Sequence, residues 1–123
     1  MDIFVVEFGG GIELFPRLIQ TVDGLLADGE RRIVIDLGAL PFINSAALGY
    51  LVKTQQTLDK AGGRLGLVRV QPLIRKVLKS TQILSMFTLF ADVDDAVRSM
   101  GGPGSHADPA TAAKVRKQTI KRS

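Results

Sequence analysis

The feature that most restricts what this chain can fold into is its strict alternation of short β-branched runs and helix-spaced apolar runs, joined by connections of a few residues. Ile3-Phe4-Val5-Val6-Glu7-Phe8 is aliphatic and aromatic and is closed by Gly9-Gly10-Gly11, so it reads as a strand entering a turn. Leu14, Leu18, Ile19, Val22, Leu25 and Leu26 recur at helical spacing, Pro16 suits a first turn and Gly29 a stop. That predicts a helix over 15–28. Arg32-Ile33-Val34-Ile35-Asp36-Leu37 is nearly continuously apolar, as in strands buried on both faces of a parallel sheet, and Gly38-Ala39-Leu40-Pro41 breaks it.

From Ser45 helical spacing resumes through Leu48, Leu51, Val52, Thr54, Gln55 and Leu58, until Gly62-Gly63 ends it. A third strand covers Leu65–Val70, Pro72 opens a helix carrying Ile74, Val77 and Leu78, Met86–Phe90 is a fourth strand, and Val93–Arg98 a last helix. Such alternation demands right-handed crossovers. The expectation is an α/β fold, one domain with a mostly parallel four-stranded sheet covered by about four helices. A chain of 123 residues with 46% hydrophobic content can bury one core and is short for two.

The basic composition, with a formal net charge of +4, first suggests nucleic acid, but the charge is unevenly placed. Residues 1–100 carry eleven Lys and Arg against eleven Asp and Glu. The whole excess lies in 101–123, where Lys114, Arg116, Lys117, Lys121 and Arg122 face only Asp108. With no Trp and no aromatic residues interleaved among its cations, the neutral part lacks a nucleic-acid-binding face. The domain is therefore expected over 1–100. After the Gly101-Gly102-Pro103-Gly104-Ser105 break, 101–123 reads as a disordered basic tail, with a transient helix over 110–121 as its only structure.

Cysteine is absent and histidine occurs once, which removes disulfides, thiolate metal sites and most metal chemistry. The start of the chain has neither the basic stretch nor the apolar core of a signal peptide, and no apolar run is long enough to span a membrane, so a cytoplasmic protein without membrane insertion is expected. His106 lies in the tail, so Ser45 has no credible base, and Gly9-Gly10-Gly11 lacks the Gly-Lys-Ser ending of a phosphate loop. No catalytic residue, metal site or cofactor is expected.

The informative stretch is Ile33 to Leu51, in which a buried strand runs into a turn and Ser45 stands where a helix begins. Asn44 or Ser45 is then the cap, its side-chain oxygen accepting a free N–H of the first turn. Asp36, at the strand's end, is expected to bind loop N–H groups. A hydroxyl here sits at the carboxyl end of a parallel strand, where open α/β sheets hold their ligands.

This run resembles the signature of the STAS domain: an aliphatic strand ending in Asp-Leu, a four-residue connector, then Phe42-Ile43-Asn44-Ser45-Ala46-Ala47-Leu48-Gly49. The likeness continues through Gly62-Gly63-Arg64-Leu65, the Pro72 helix and Asp92-Val93-Asp94-Asp95-Ala96, over roughly 3–100. The resemblance implies an anti-sigma factor antagonist in which Ser45 is the phosphoacceptor. Asn44 stands where Asp is common, Ala47 where Gly is frequent, and Glu13 matches a loop Asp near the acceptor. Partner binding is expected through Glu13, Asn44, Ser45, Ala46, Leu48 and Gly49.

The implied partner is an anti-sigma factor with a kinase fold that holds ATP itself, with a cognate phosphatase to reverse the switch. A constitutive STAS scaffold or accessory subunit and a small-ligand sensor are the alternatives. Family members usually carry one more strand, antiparallel to residues 3–8. Without it those residues show an open edge unless the tail, a second protomer in a homodimer or a longer natural N-terminus covers them.

Overall fold

The structure is a computed structural model that describes residues 2–101 and 114–121. Its elements are β1 (Ile3–Phe8), α1 (Phe15–Ala27), β2 (Arg32–Asp36), α2 (Ser45–Lys60), β3 (Arg64–Val68), α3 (Pro72–Ser80), β4 (Thr88–Phe90), α4 (Val93–Ser99) and β5 (Val115–Ile120). Single 3-10 turns at Ile12–Leu14 and Leu84–Met86 precede α1 and β4.

β2 is central because its side chains can be buried on either side. Ile33 and Ile35 point into the larger core, formed with Leu18 and Val22 of α1, Leu51 and Leu58 of α2, and Ile74 and Leu78 of α3. Val34 joins Ile3, Val5 and Val68 in a smaller core under Ala96, Val97 and Met100 of α4 and its end. All three β2 residues are fully buried. The sheet order is β4-β3-β2-β1-β5 and every pairing is parallel, so the expected α/β fold with a helix-covered parallel sheet is what forms.

Three strands are shorter than the apolar runs suggest, β2 by a single residue at Leu37. β3 ends at Val68 because Arg69 takes φ +52 and turns the chain out of the sheet before Val70. β4 starts at Thr88 because Met86 belongs to the preceding turn, which Phe87 closes by donating its N–H to Leu84 O. Gly62, at φ +76, makes the left-handed turn that ends α2 and lets β3 return into the sheet.

The four-stranded expectation is corrected by β5. Within the stretch expected as a disordered tail or transient helix, Val115–Ile120 pairs in parallel with all of β1. The physical reason is the open edge of β1, which offers main-chain partners that a short helix in water would lack. Ile3 N–H donates to Lys114 O at 2.8 Å and Gly9 N–H to Ile120 O at 2.6 Å. Arg116 pairs with Asp2 at 3.0 Å and Lys117 with Glu7 at 3.4 Å. Arg116 also lies 5.6 Å from the Phe4 ring centroid, and Ile120 is buried in the larger core. The outer edge of β1 is thus covered by the chain's own basic segment. Residues 102–113, including most of the glycine-rich break and His106, lie outside the described residues.

A chain ending at residue 113 should lose about 1–3 kcal/mol, the worth of the Ile120 side chain's burial, and melt several degrees lower. Thermal unfolding followed by circular dichroism tests this. Superimposable melting curves would mean that β5 adds nothing to the fold.

Candidate functional site

In an all-parallel sheet every strand delivers its following loop to the same edge, and adjacent strands deliver adjacent loops. The loops after β1, β2 and β3 therefore lie side by side at the carboxyl edge. They carry Glu13, the connector to Ser45, and Arg69 respectively.

The connector is built on Asp36. Its carboxylate is buried at the end of β2, where a charge without partners would be costly. Oδ1 accepts the N–H of Gly38 at 2.9 Å, as expected from the sequence. The same carboxylate takes a bidentate pair from Arg69, with Nε 2.9 Å from Oδ1 and Nη2 2.8 Å from Oδ2. This bond raises the pKa of the Arg69 guanidinium above its ordinary value. The guanidinium lies so close over Gly38 that a Cβ there would stand 2.6 Å from its Cζ. Gln71 Nε2 donates to Gly38 O at 2.7 Å, and Leu40 N–H to Leu37 O at 2.9 Å. The connector is pinned at its backbone before it reaches α2.

At the start of α2 the structure decides between the two candidate caps. Asn44 is extended and its Oδ1 accepts the N–H of Ala47 at 2.8 Å, while Ser45 is the first helical residue. The Ser45 side chain is exposed and has no part in capping. Of the N–H groups that a helix leaves free in its first turn, those of Ser45 and Ala46 are not taken by the Asn44 side chain. Ala46 and Gly49 are exposed, Leu48 is half-buried and Ala47 is buried. Space around Gly49 is open, so the start of α2 presents a low surface of small side chains.

Glu13 is exposed in the 3-10 turn before α1, its carboxylate curled over Gly11, where a Cβ would stand 2.5 Å from Oε2. A chain of aromatic rings fixes this turn relative to α2. Phe8 meets Phe15 edge-to-face at 5.9 Å, and Phe15 meets Tyr50 at 6.2 Å. The Tyr50 hydroxyl donates to Asp23 Oδ1 at 2.8 Å, and burial together with that carboxylate pushes its pKa well up.

Glu13, Asn44, Ser45, Ala46 and Gly49 thus all lie exposed at the carboxyl edge, with Leu48 partly beneath them. Sequence reasoning missed Arg69 and Gln71. A signal did exist, because a buried Asp ending an apolar strand needs a cation, and the Asp36–Val68 register puts Arg69 next in line. Phe42, 46% exposed in the connector, and Leu73, 54% exposed at the start of α3, add apolar area at this edge and were also missed. Among the described residues there is no cluster of His, Asp or Glu able to hold a metal, and no helix is long and apolar enough to cross a membrane. An open groove of about 430 Å³ lies between α1 and β5, lined by Arg17, Gln20 and Gln118 among others and by none of the candidate residues.

Comparison with known proteins places the fold in a family. The STAS domain profile matches residues 13–96, and the chain belongs to that family. It is 39% identical over 83 residues to a candidate anti-sigma factor antagonist, BtrV, of Bordetella bronchiseptica, covering 68% of each chain. A crystal structure of an anti-sigma factor antagonist from Mycobacterium paratuberculosis matches with a TM-score of 0.64 at 31% identity, covering 75% of this chain and 80% of that one. The Bacillus cell fate determinant SpoIIAA, in its phosphorylated form, shares the fold with a TM-score of 0.63 at 18% identity over 80% of this chain and 92% of that one.

Because Asn44 is the cap, Asn44→Ala should cost about 0.5–2 kcal/mol in denaturant unfolding. Ser45→Ala should cost little, and equal losses for the two would return capping to Ser45. Arg69→Ala leaves the buried Asp36 with only Gly38 as a hydrogen-bond donor, and about 1–3 kcal/mol should be lost. Faster amide exchange at Gly38 and Leu40 in this variant would show the connector loosening; unchanged exchange and stability would remove the brace from the account.

Proposed function

Taking the chain as a STAS domain, we propose that it is a non-catalytic antagonist of an anti-sigma factor, captured through the start of α2 and the Glu13 turn, and released when Ser45 is phosphorylated. The single observation that carries this reading is the exposed Ser45 hydroxyl on the first residue of α2, with capping done by Asn44 instead. A group so placed can be modified without uncapping its helix.

A phosphate on Ser45 adds about −1.5 to −2 charges. The helix N-terminus and the N–H groups of Ser45 and Ala46 that the cap leaves free accommodate it locally. The docking face does not, for it consists of small side chains, the exposed Phe42 and the like-charged Glu13, and Arg69 at the same edge is already paired with Asp36. Burying the phosphate there without a cationic partner costs several kcal/mol, against about 1.4 kcal/mol for each tenfold loss of affinity. Charge alone therefore breaks the complex while the fold stays intact.

In this reading the anti-sigma factor has a kinase fold, holds ATP and supplies the chemistry, and a phosphatase restores the hydroxyl. The names of the relatives support the antagonist role, and the solved phosphorylated form of SpoIIAA supports a phosphate as compatible with this fold. Asn44 in place of the common Asp leaves one charge fewer beside the acceptor.

The test is titration of wild type, Ser45→Ala and Ser45→Asp against the cognate anti-sigma factor, before and after incubation with ATP. Wild type should bind and then lose binding as phosphate appears on Ser45. Ser45→Ala should bind persistently, and Ser45→Asp should bind at least tenfold more weakly at unchanged stability. A wild type that gains no phosphate, with the Asp variant binding as tightly as the Ala variant, would replace the switch by a constitutive scaffold.

A further inference from the structure

β5 is the outermost strand of the sheet and is paired on its inner side only. Ile3 N–H donates to Lys114 O and Gly9 N–H to Ile120 O, so the even-numbered residues of β5 turn their main-chain groups toward β1. Those of Val115, Lys117 and Thr119 therefore point the other way, and among the described residues no strand lies beyond them. The opposite edge of the sheet, β4, has three residues against six in β5, so β5 presents the longer open edge.

The groove between α1 and β5 follows this edge. Arg17, Gln20 and Thr21 line it from the helix, and Gln118, Thr119 and Lys121 from the strand and its end. Gln118 and Thr119 point to opposite faces of the sheet, and since both line the groove it wraps the outer edge of the strand. Its charge is of one sign, because no acid lines it. Arg116 and Lys117 are taken by Asp2 and Glu7, whereas Arg17 and Lys121 form no ion pair among the described residues. Arg17 Nη1 donates to a carbonyl instead, that of Lys121, at 3.2 Å.

These features define the chemistry of an occupant. A row of outward N–H and C=O groups is satisfied by an extended peptide segment and not by a small anion. Two cations without carboxylates call for acidic side chains on that segment. This chain has no such run: residues 102–113 hold a single acid, Asp108, and Lys121 is followed by Arg122 and Ser123. A second copy pairing β5 with β5 would set Arg116, Lys117 and Lys121 against themselves. The groove also lacks an aromatic side chain on which a nucleic-acid base could stack.

We propose that the outer edge of β5 and the adjoining α1 groove form a docking site for an acidic, extended segment of a partner protein, which adds to the sheet as a sixth strand. The main chain of that segment pairs with Val115, Lys117 and Thr119, and its carboxylates reach Arg17 and Lys121. The site is separate from the start of α2, whose residues line no part of the groove, and it does not depend on the state of Ser45.

The probe is a short peptide alternating valine and glutamate, titrated to millimolar concentration against the full isotope-labelled chain and followed by NMR. Amide shifts should gather at Val115, Lys117 and Thr119 and along α1 from Arg17 to Thr21, and the three β5 amides should exchange more slowly with peptide bound. A peptide with lysine in place of glutamate should bind at least tenfold more weakly. The variants Arg17→Glu and Lys121→Glu should lose the glutamate peptide by a similar factor. Thr119→Pro removes an outward N–H and leaves the bonds to β1 in place, so it should also weaken binding at an unchanged melting curve. Should that variant disturb the strand, methylating alternate peptide nitrogens of the probe makes the same test without altering the protein. Inorganic phosphate or free glutamate displacing the peptide at equal concentration would reduce the groove to a simple anion site and overturn the proposal. So would a peptide that leaves Val115, Lys117 and Thr119 unshifted, or a lysine peptide that binds as well as the glutamate one.

Discussion

Burial of β2 on both faces governs how the rest of the molecule is arranged. A strand whose Ile33, Val34 and Ile35 are all fully buried must have helices above and below it and a strand on each side. Short connections then force each helix to carry the chain back across the sheet, so neighbouring strands run parallel and their loops gather at one edge. The candidate site is a consequence of that geometry. Glu13, Asn44 and Ser45 are far apart in sequence, and they share an edge because β1 and β2 are neighbours pointing the same way.

What makes that edge suitable for recognition is its rigidity. Asp36 has to be paired because it is buried, and the residues that pair it also hold the connector: Arg69 covers Gly38, and Gln71 holds the carbonyl of Gly38. The Phe8–Phe15–Tyr50 chain does the same for the Glu13 turn. A surface held in place costs a partner little ordering, which is what the proposed capture at the start of α2 requires. The separation of roles at the helix start serves the same end. Asn44 keeps α2 capped whatever happens at Ser45.

The opposite flank of the sheet follows a different logic. β1 is buried on its faces but its outer edge is open, and the segment that covers it comes from outside residues 13–96 matched by the family profile. That segment has little hydrophobic content and is held by main-chain pairing, by the ion pairs of Arg116 and Lys117 with the Arg116–Phe4 contact, and by the packing of Val115 and Ile120 against the two cores. Exposed ion pairs of this kind contribute at most about 1 kcal/mol each, so the strand is attached by its backbone and by Ile120 more than by its charges. Its end lies beside Gly9, and so beside the loop that leads to Glu13.

Most of the fold was legible in the sequence because it rests on local pattern. The period-2 and period-3.6 apolar runs gave four strands and four helices, with boundaries displaced by more than one residue only where a single residue, Arg69 at positive φ, or a single turn, Leu84–Met86, cut a run short. The candidate site was legible for the same reason, since the strand, connector and helix start from Ile33 to Gly49 are contiguous. Arg69, Gln71, the aromatic chain and the choice of Asn44 as cap were not, because each depends on which residues the sheet brings together. β5 is the clearest case. By itself Val115–Ile120 is a basic segment too polar to bury and too short to hold a helix, and the sequence alone determined only its charge and its freedom to extend. That it is a strand was decided by tertiary structure, because a strand's hydrogen bonds lie in its neighbour, and the neighbour here is the open edge of β1 more than a hundred residues earlier in the chain.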